Sequence, residues 1–124
     1  MNEQEMLAFA DKFFAVVSAG DIETLKTLYH DDVAVWHNYE EHEQNKEENL
    51  ETLGSIPRRY DSFDYADARC VAIAGGFLRQ HVIHASRNGK KAVIPAILRV
   101  YVDEGKVRRI EEYFDRGQLT AALT

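Results

Sequence analysis

Cysteine occurs once in 124 residues, as Cys70, so no disulfide can close within the chain. No apolar run approaches the roughly 20 residues that a membrane span requires, so no membrane partner is expected. Basic residues are in the minority, 15 Lys and Arg against 21 Asp and Glu, for a net charge of −6. Such a chain repels phosphates, and Arg58-Arg59, Lys90-Lys91 and Arg108-Arg109 are isolated pairs rather than a basic face. Nucleic acid is therefore not an expected partner. There is no Gly-rich phosphate loop, no nucleophile elbow and no dinucleotide fingerprint. Glu40, Glu41, His42 and Glu43 are rich in ligand atoms, but adjacent acids on a loop lack zinc or calcium spacing; neither metal nor cofactor is expected. The acidic start Met-Asn-Glu-Gln-Glu does not resemble a signal peptide, which makes cytoplasm the expected compartment.

What is present is the balance of one globular domain over 1–124, with 45% hydrophobic and 29% charged residues. From Glu3 to Ser18, Met6, Leu7, Phe9, Ala10, Phe13, Phe14 and Val17 recur with a helical period, and Ala19-Gly20 ends the run. Asp21 reads as the N-cap of a short second helix through Ile22, Leu25, Leu28 and Tyr29, closed by His30-Asp31-Asp32. Asp31–Tyr39 then reads as a strand, with Val33, Val35, His37 and Tyr39 on one face and Ala34, Trp36 and Asn38 on the other. An acidic, solvated loop follows. Leu50, Leu53 and Ile56 mark a third helix from Asn45, stopped near Pro57.

The remainder reads as β: Phe63–Ala74, Phe77–Arg87, Lys91–Asp103 and Val107–Arg116. Gly75-Gly76, Asn88-Gly89 and Glu104-Gly105 separate these runs, Asn-Gly being a strong type I′ signal. Three helices and a four-stranded antiparallel meander give an α+β fold in which a bent sheet wraps the helices. In Lys91–Asp103 the face Ala92, Ile94, Ala96, Leu98, Val100 and Val102 is wholly apolar and must look toward the helices. The opposite face, Val93, Pro95, Ile97, Arg99 and Tyr101, has the mixed character of a homodimer interface.

The order of elements, together with Gly20-Asp21-Ile22-Glu23, Tyr29-His30-Asp31-Asp32, Asn88-Gly89 and Asp103-Glu104-Gly105-Lys106-Val107…Glu112-Tyr113-Phe114-Asp115, resembles the nuclear transport factor 2-like superfamily. Its members include ketosteroid isomerases, SnoaL-like polyketide cyclases, limonene epoxide hydrolases and scytalone dehydratase. The resemblance implies a cone of bent sheet around helices, with a pocket at the wide end. By resemblance to the ketosteroid isomerases His37 stands at the place of the catalytic base, while Phe13 and Leu98 stand where that reaction's two oxyanion donors would be. Steroid isomerisation in that form is not expected. The epoxide hydrolases imply Glu112 as a water-activating carboxylate, with Val35 and His37 at two water-holding positions. Scytalone dehydratase implies a catalytic role for His81. The SnoaL-like cyclases use an aspartate on the last strand, similar in place to Asp115.

With the register that the resemblance implies, strand alternation places Val35, His37 and Tyr39; Phe77, Arg79, His81 and Ile83; Leu98 and Val100; and Ile110, Glu112 and Phe114 on one inward surface. A one-residue slip would bring in Glu111 or Tyr113 instead of Glu112, a bulge would swing Trp36 and Asn38 inward, and a bend would do so for Asp115. His84 should point outward. Two readings follow. In the first, a cofactor-independent enzyme moves a proton on a small apolar or polycyclic substrate by isomerisation, dehydration, cyclisation or hydrolysis. Glu112 orients or deprotonates His37 or a water, His37 shuttles the proton, and His81 or Arg79 binds developing negative charge. Phe13, Val35, Tyr39, Phe77, Leu98, Val100 and Phe114 would line the substrate's surroundings. In the second, a module of the same fold binds an apolar ligand or supports a dimer, with the inward polar groups as anchors.

Overall fold

Asn2 and Glu5 start the first helix by exchanging side-chain and backbone hydrogen bonds of 2.8 and 2.9 Å, satisfying two otherwise orphaned N–H groups. The computed structural model describes residues 1–124. This helix, α1 (Glu3–Ala19), buries Met6, Ala10, Phe13 and Phe14 and ends at Gly20, whose φ of 67° is left-handed. Helix α2 (Ile22–Leu28) is capped by Asp21, which accepts from Thr24 N at 3.1 Å. Strand β1 (Tyr29–His37) follows without a loop. Tyr29 and His30–Asp32 thus belong to the strand rather than to the end of the helix. Charge explains the tolerance: Asp31 pairs with Lys46 and Asp32 with Arg108, both at the surface.

Helix α3 (Lys46–Gly54) carries a second capping box, Asn45 with Glu48, and a one-turn helix α4 (Ile56–Arg59) follows. Pro57 does not stop α3; it sits in the first turn of α4, where its missing N–H has no intrahelical acceptor to lose. Strands β2 (Ser62–Ile73), β3 (Gly76–Arg87), β4 (Lys90–Asp103) and β5 (Lys106–Phe114) form the expected meander, and the sheet order is β1-β5-β4-β3-β2. The sheet is mixed rather than antiparallel throughout, because β1 lies parallel to β5. Asn88 and Gly89 both take positive φ, 53° and 77°, as do Glu104 and Gly105, 53° and 75°, which suits two-residue type I′ hairpins.

The inward row of β4 is as its alternation requires, with Ala92, Ile94, Ala96, Leu98 and Val100 buried. Three register shifts interrupt the pairing elsewhere, one of them in β1 between Tyr29 and Ala34. The β4–β5 register shifts between Tyr101 and Val102, so that Val107 and Ile110 both face the core. In β2 the register shifts between Ala66 and Arg69, around Asp67 at φ 52°. The last strand ends at Phe114, two residues short of the expected boundary, and a helix α5 (Arg116–Leu123), absent from the sequence expectation, completes the chain. Its Leu119 and Leu123 fill the trough left by the small Ala85, Ala92 and Ala96 beside Ile83 and Ile94. The larger apolar cluster lies at the other end, between α1, α2 and β1, β4 and β5.

Candidate active site

The parallel register of β1 on β5 pairs Val35 with Ile110 and His37 with Glu112, which puts the imidazole and the carboxylate side by side on the inner surface. The cone above them holds an outer chamber of about 290 Å³. Its walls carry His37, Tyr39 and Glu40 from the β1 end, Arg59, Tyr60, Phe63 and Tyr65 from α4 and β2, and Phe114, Arg116 and Leu119 from the last strand and helix. A smaller chamber of about 70 Å³ lies beneath, walled by Phe13, Phe14, Val17, Tyr29, Val35, Leu98 and Ile110. His37, Glu112, Tyr65, Thr52 and Leu53 border both, so the polar pair stands at the neck.

His37 is 7% exposed and is held on both nitrogens. Its Nδ1 is 3.0 Å from Glu40 Oε1, in a hydrogen bond, and its Nε2 is 3.3 Å from Glu112 Oε1. A neutral imidazole has one N–H, so donation from Nδ1 to Glu40 leaves a lone pair at Nε2 facing the chamber beside Glu112. A proton arriving at Nε2 creates a cation flanked by two carboxylates. The Tyr39 ring stacks on His37 with centroids 5.1 Å apart, and the Phe114 ring packs edge-on to Tyr39. Glu40 and Glu112 occupy opposite nitrogens of one ring and cannot share an ion, and no three His, Cys, Asp or Glu side chains cluster as a metal site would need.

Glu40 is the residue that sequence reasoning places in a solvated loop and the structure places on His37. The loop is drawn in because Gln44 pairs with Val35 in both directions at 2.9 Å, while Asn49 Nδ2 donates to Gln44 Oε1 and Tyr29 Oη donates to the buried Asn49 Oδ1. Tyr65 is a second unanticipated wall residue. Burial, then the nearby Glu112 charge, pushes its phenol well above the usual range, so it is a neutral donor, and no hydrogen bond within the protein holds it. The alternation Phe63-Tyr65 was the available signal; the bulge after Ala66 decides its facing.

The remaining expected residues fall into three groups. Val35, Leu98 and Phe13 line the inner chamber, and Tyr39 and Phe114 the outer one. Phe77 and Val100, expected against substrate, are instead wholly buried in the core, because α1 covers this end of the sheet. Trp36 and Asn38 are not in the pocket: Trp36 packs on Tyr113 of the outer surface, and exposed Asn38 accepts from Phe114 N. Asp115 is not a pocket carboxylate either; it caps α5 by accepting from Gln118 N at 2.9 Å. Arg79 and His81 lie behind the walls rather than on them. The Arg79 guanidinium sits 3.8 Å from the centre of the Phe14 ring and its Nε donates to His81 Nδ1 at 3.0 Å. His81 therefore carries its proton on Nε2, which has no partner. Burial lowers its pKa to about 4, so the ring is neutral at pH 7.

No family model matches the sequence, and no curated protein matches it. Solved structures do. A candidate polyketide cyclase from Xanthomonas campestris pv. campestris superposes over 100% of both chains with a TM-score of 0.85 at 18% identity. A nuclear transport factor 2-like protein from Burkholderia xenovorans matches over 100% of this chain and 99% of its own, with a TM-score of 0.83 at 20% identity. An LEH-like epoxide hydrolase from M. tuberculosis covers 99% of this chain and 92% of its own, with a TM-score of 0.81 at 15% identity. The chain has the nuclear transport factor 2-like fold of these proteins. At such identities the likeness speaks for the fold and not for a reaction.

Proposed function

We propose that this nuclear transport factor 2-like cone is an enzyme that moves a proton on a small, largely apolar substrate, without a cofactor. The observation that carries the reading is the imidazole of His37 bracketed by Glu40 and Glu112 at the neck of an aromatic cavity. Glu40 fixes the tautomer. Nε2 takes a proton from a substrate carbon, or from a water or hydroxyl, and the imidazolium so formed lies between two carboxylates in a partly dehydrated site. Returning that proton to a different atom completes an isomerisation, a cyclisation or a dehydration; activating a water would complete a hydrolysis. The neutral phenol of Tyr65 supplies the hydrogen bond to oxygen that Phe13 and Leu98 cannot.

Wild-type protein incubated with a panel of lipophilic ketones, β-hydroxy ketones and epoxides should turn over at least one class. His37→Ala should lower that turnover by about 10² to 10⁴-fold, the usual worth of a positioned acid–base group, with ligand binding retained. A wild type that binds members of the panel and converts none would make the chain a binding module instead.

A second copy of the chain is proposed to cover the outer surface of the sheet, where Val71, Val93 and Tyr113 stand 55%, 54% and 48% exposed and Arg99 Nε is buried without a partner.

A further inference from the structure

Arg59 and Arg116 are the two permanent cations on the wall of the outer chamber, and neither forms an ion pair. Six of the nine arginines form no ion pair, and of those six only Arg59 and Arg116 line the outer chamber. Arg58, next to Arg59, holds Glu51 at 3.2 Å; Arg108 holds Asp32 and Asp103; Arg109 holds Glu43 and Glu111. In a chain with net charge −6, carboxylates are in excess, yet none is offered to these two guanidinium groups.

Both residues are exposed; Arg59 is held by hydrogen bonds, whereas Arg116 has only its contact with the Tyr39 ring. Arg59 Nε donates to Ser55 Oγ at 2.8 Å, and its terminal nitrogens donate to Thr52 O at 3.3 Å and Tyr60 Oη at 3.4 Å. Those three bonds leave two of its five N–H donors free. Its guanidinium carbon is 5.2 Å from the centre of the Tyr60 ring, and that of Arg116 is 4.9 Å from the centre of the Tyr39 ring. Arg116 makes no hydrogen bond and keeps all five donors. Tyr60 and Tyr39 are themselves walls of the chamber, so each cation lies on an aromatic face at the cavity. The acids of the same cavity, Glu40 and Glu112, are engaged with His37 and do not neutralise the arginines.

We propose that the ligand of this cavity is an amphipathic monoanion, with an apolar or aromatic body in the outer chamber and a carboxylate-type group held between Arg59 and Arg116. The inference rests on the reading of this cavity as the substrate site and adds an orientation to it. Attraction at the arginines and repulsion from Glu40 and Glu112 turn the anionic end away from His37, so that the apolar end meets the acid–base pair. A chamber of about 290 Å³ suits a body of one or two rings rather than a bulky cofactor.

The test is calorimetric titration of the protein with hydrocinnamate and with its neutral amide, equal in shape and different in charge. Hydrocinnamate should bind about tenfold more tightly than the amide, the advantage shrinking as salt is raised. In Arg59→Gln/Arg116→Gln the two ligands should bind within about twofold of each other, with the amide's affinity unchanged from wild type, which also reports an intact cavity. Equal affinity in the wild type, no saturable binding of either ligand, or a preference that survives the double substitution would each overturn the proposal. His37→Ala separates the two readings: it should keep the carboxylate preference, so loss of the preference counts against the arginine site while unaltered turnover counts against the acid–base reading alone.

Discussion

His37 and His81 are both buried on the inner surface, and their partners give them opposite chemistry. His37 has a carboxylate at each ring nitrogen, Glu40 at Nδ1 and Glu112 at Nε2. His81 accepts from the Arg79 guanidinium and is walled by Phe14 and Tyr65, and burial holds it neutral down to a pKa of about 4. The consequence for stability has a definite sign. The unfolded chain takes up this proton below the ordinary value of 6.5 and the folded chain only near 4, so the stability His81 contributes is complete above 6.5 and lost as pH falls between those values. The ring nitrogens of His81 should therefore show the Nε2–H tautomer and no titration across the neutral range by NMR. His81→Leu should flatten the decline of thermal stability on the acid side. A His81 resonance that titrates near 6.5 would place the ring in contact with water.

At the scale of elements, two contrasted substitutions check how the sheet and the last helix are built. Gly76 opens β3 against Val100 and Tyr101 of β4, and a Cβ there would stand 1.9 Å from Val100 O, a backbone atom that cannot swing aside. Gly76→Ala should cost more than about 2 kcal/mol in a denaturant titration, the range of a backbone clash in a core element. Asp115 serves α5 as its N-cap, so Asp115→Ala should cost about 1 kcal/mol and lower turnover only modestly. A loss of turnover as large as that of His37→Ala, with stability unchanged, would return Asp115 to the chemistry. Helix α5 matters to the cavity nonetheless, since it brings both Leu119 and Arg116 to the wall. Its sequence signals were present, an Asp cap with Leu119 and Leu123 one turn apart, but a helix of 8 residues has too few apolar positions to stand out from a strand's end.

At the scale of the whole molecule, the surface ion pairs of Arg108 and Arg109 contribute little each, because both partners remain in water. Covering the apolar outer strip with a second copy would stabilise the protein more than those pairs do, since it removes apolar surface from water. Sedimentation equilibrium at micromolar concentration should give a dimer, and Val93→Lys/Tyr113→Lys should give a folded monomer, since two charges buried at an interface without partners oppose association strongly. A monomeric wild type would leave the strip as ordinary surface. No helix is long and apolar enough to cross a membrane.

The features legible in the sequence are those decided within a few residues. The two Asn-Gly and Glu-Gly hairpins and the inward row of β4 follow from the two-residue period of a strand and from which residues tolerate positive φ, while the shared face of His37 and Glu112 was implied by the family resemblance. The order of elements gave an α+β fold with a sheet wrapping helices, and the family resemblance implied the cone. What only the tertiary structure decided is how distant segments and loops are arranged: β1 lying parallel to β5, Glu40 drawn onto His37 by the Gln44 bridge, Tyr65 turned inward by the bulge at Asp67, and Arg59 and Arg116 both lining one cavity. Alternation is steric and local, so the sequence carries it directly. Which loop folds over which strand depends on the packing of the assembled core, and no local pattern contains it.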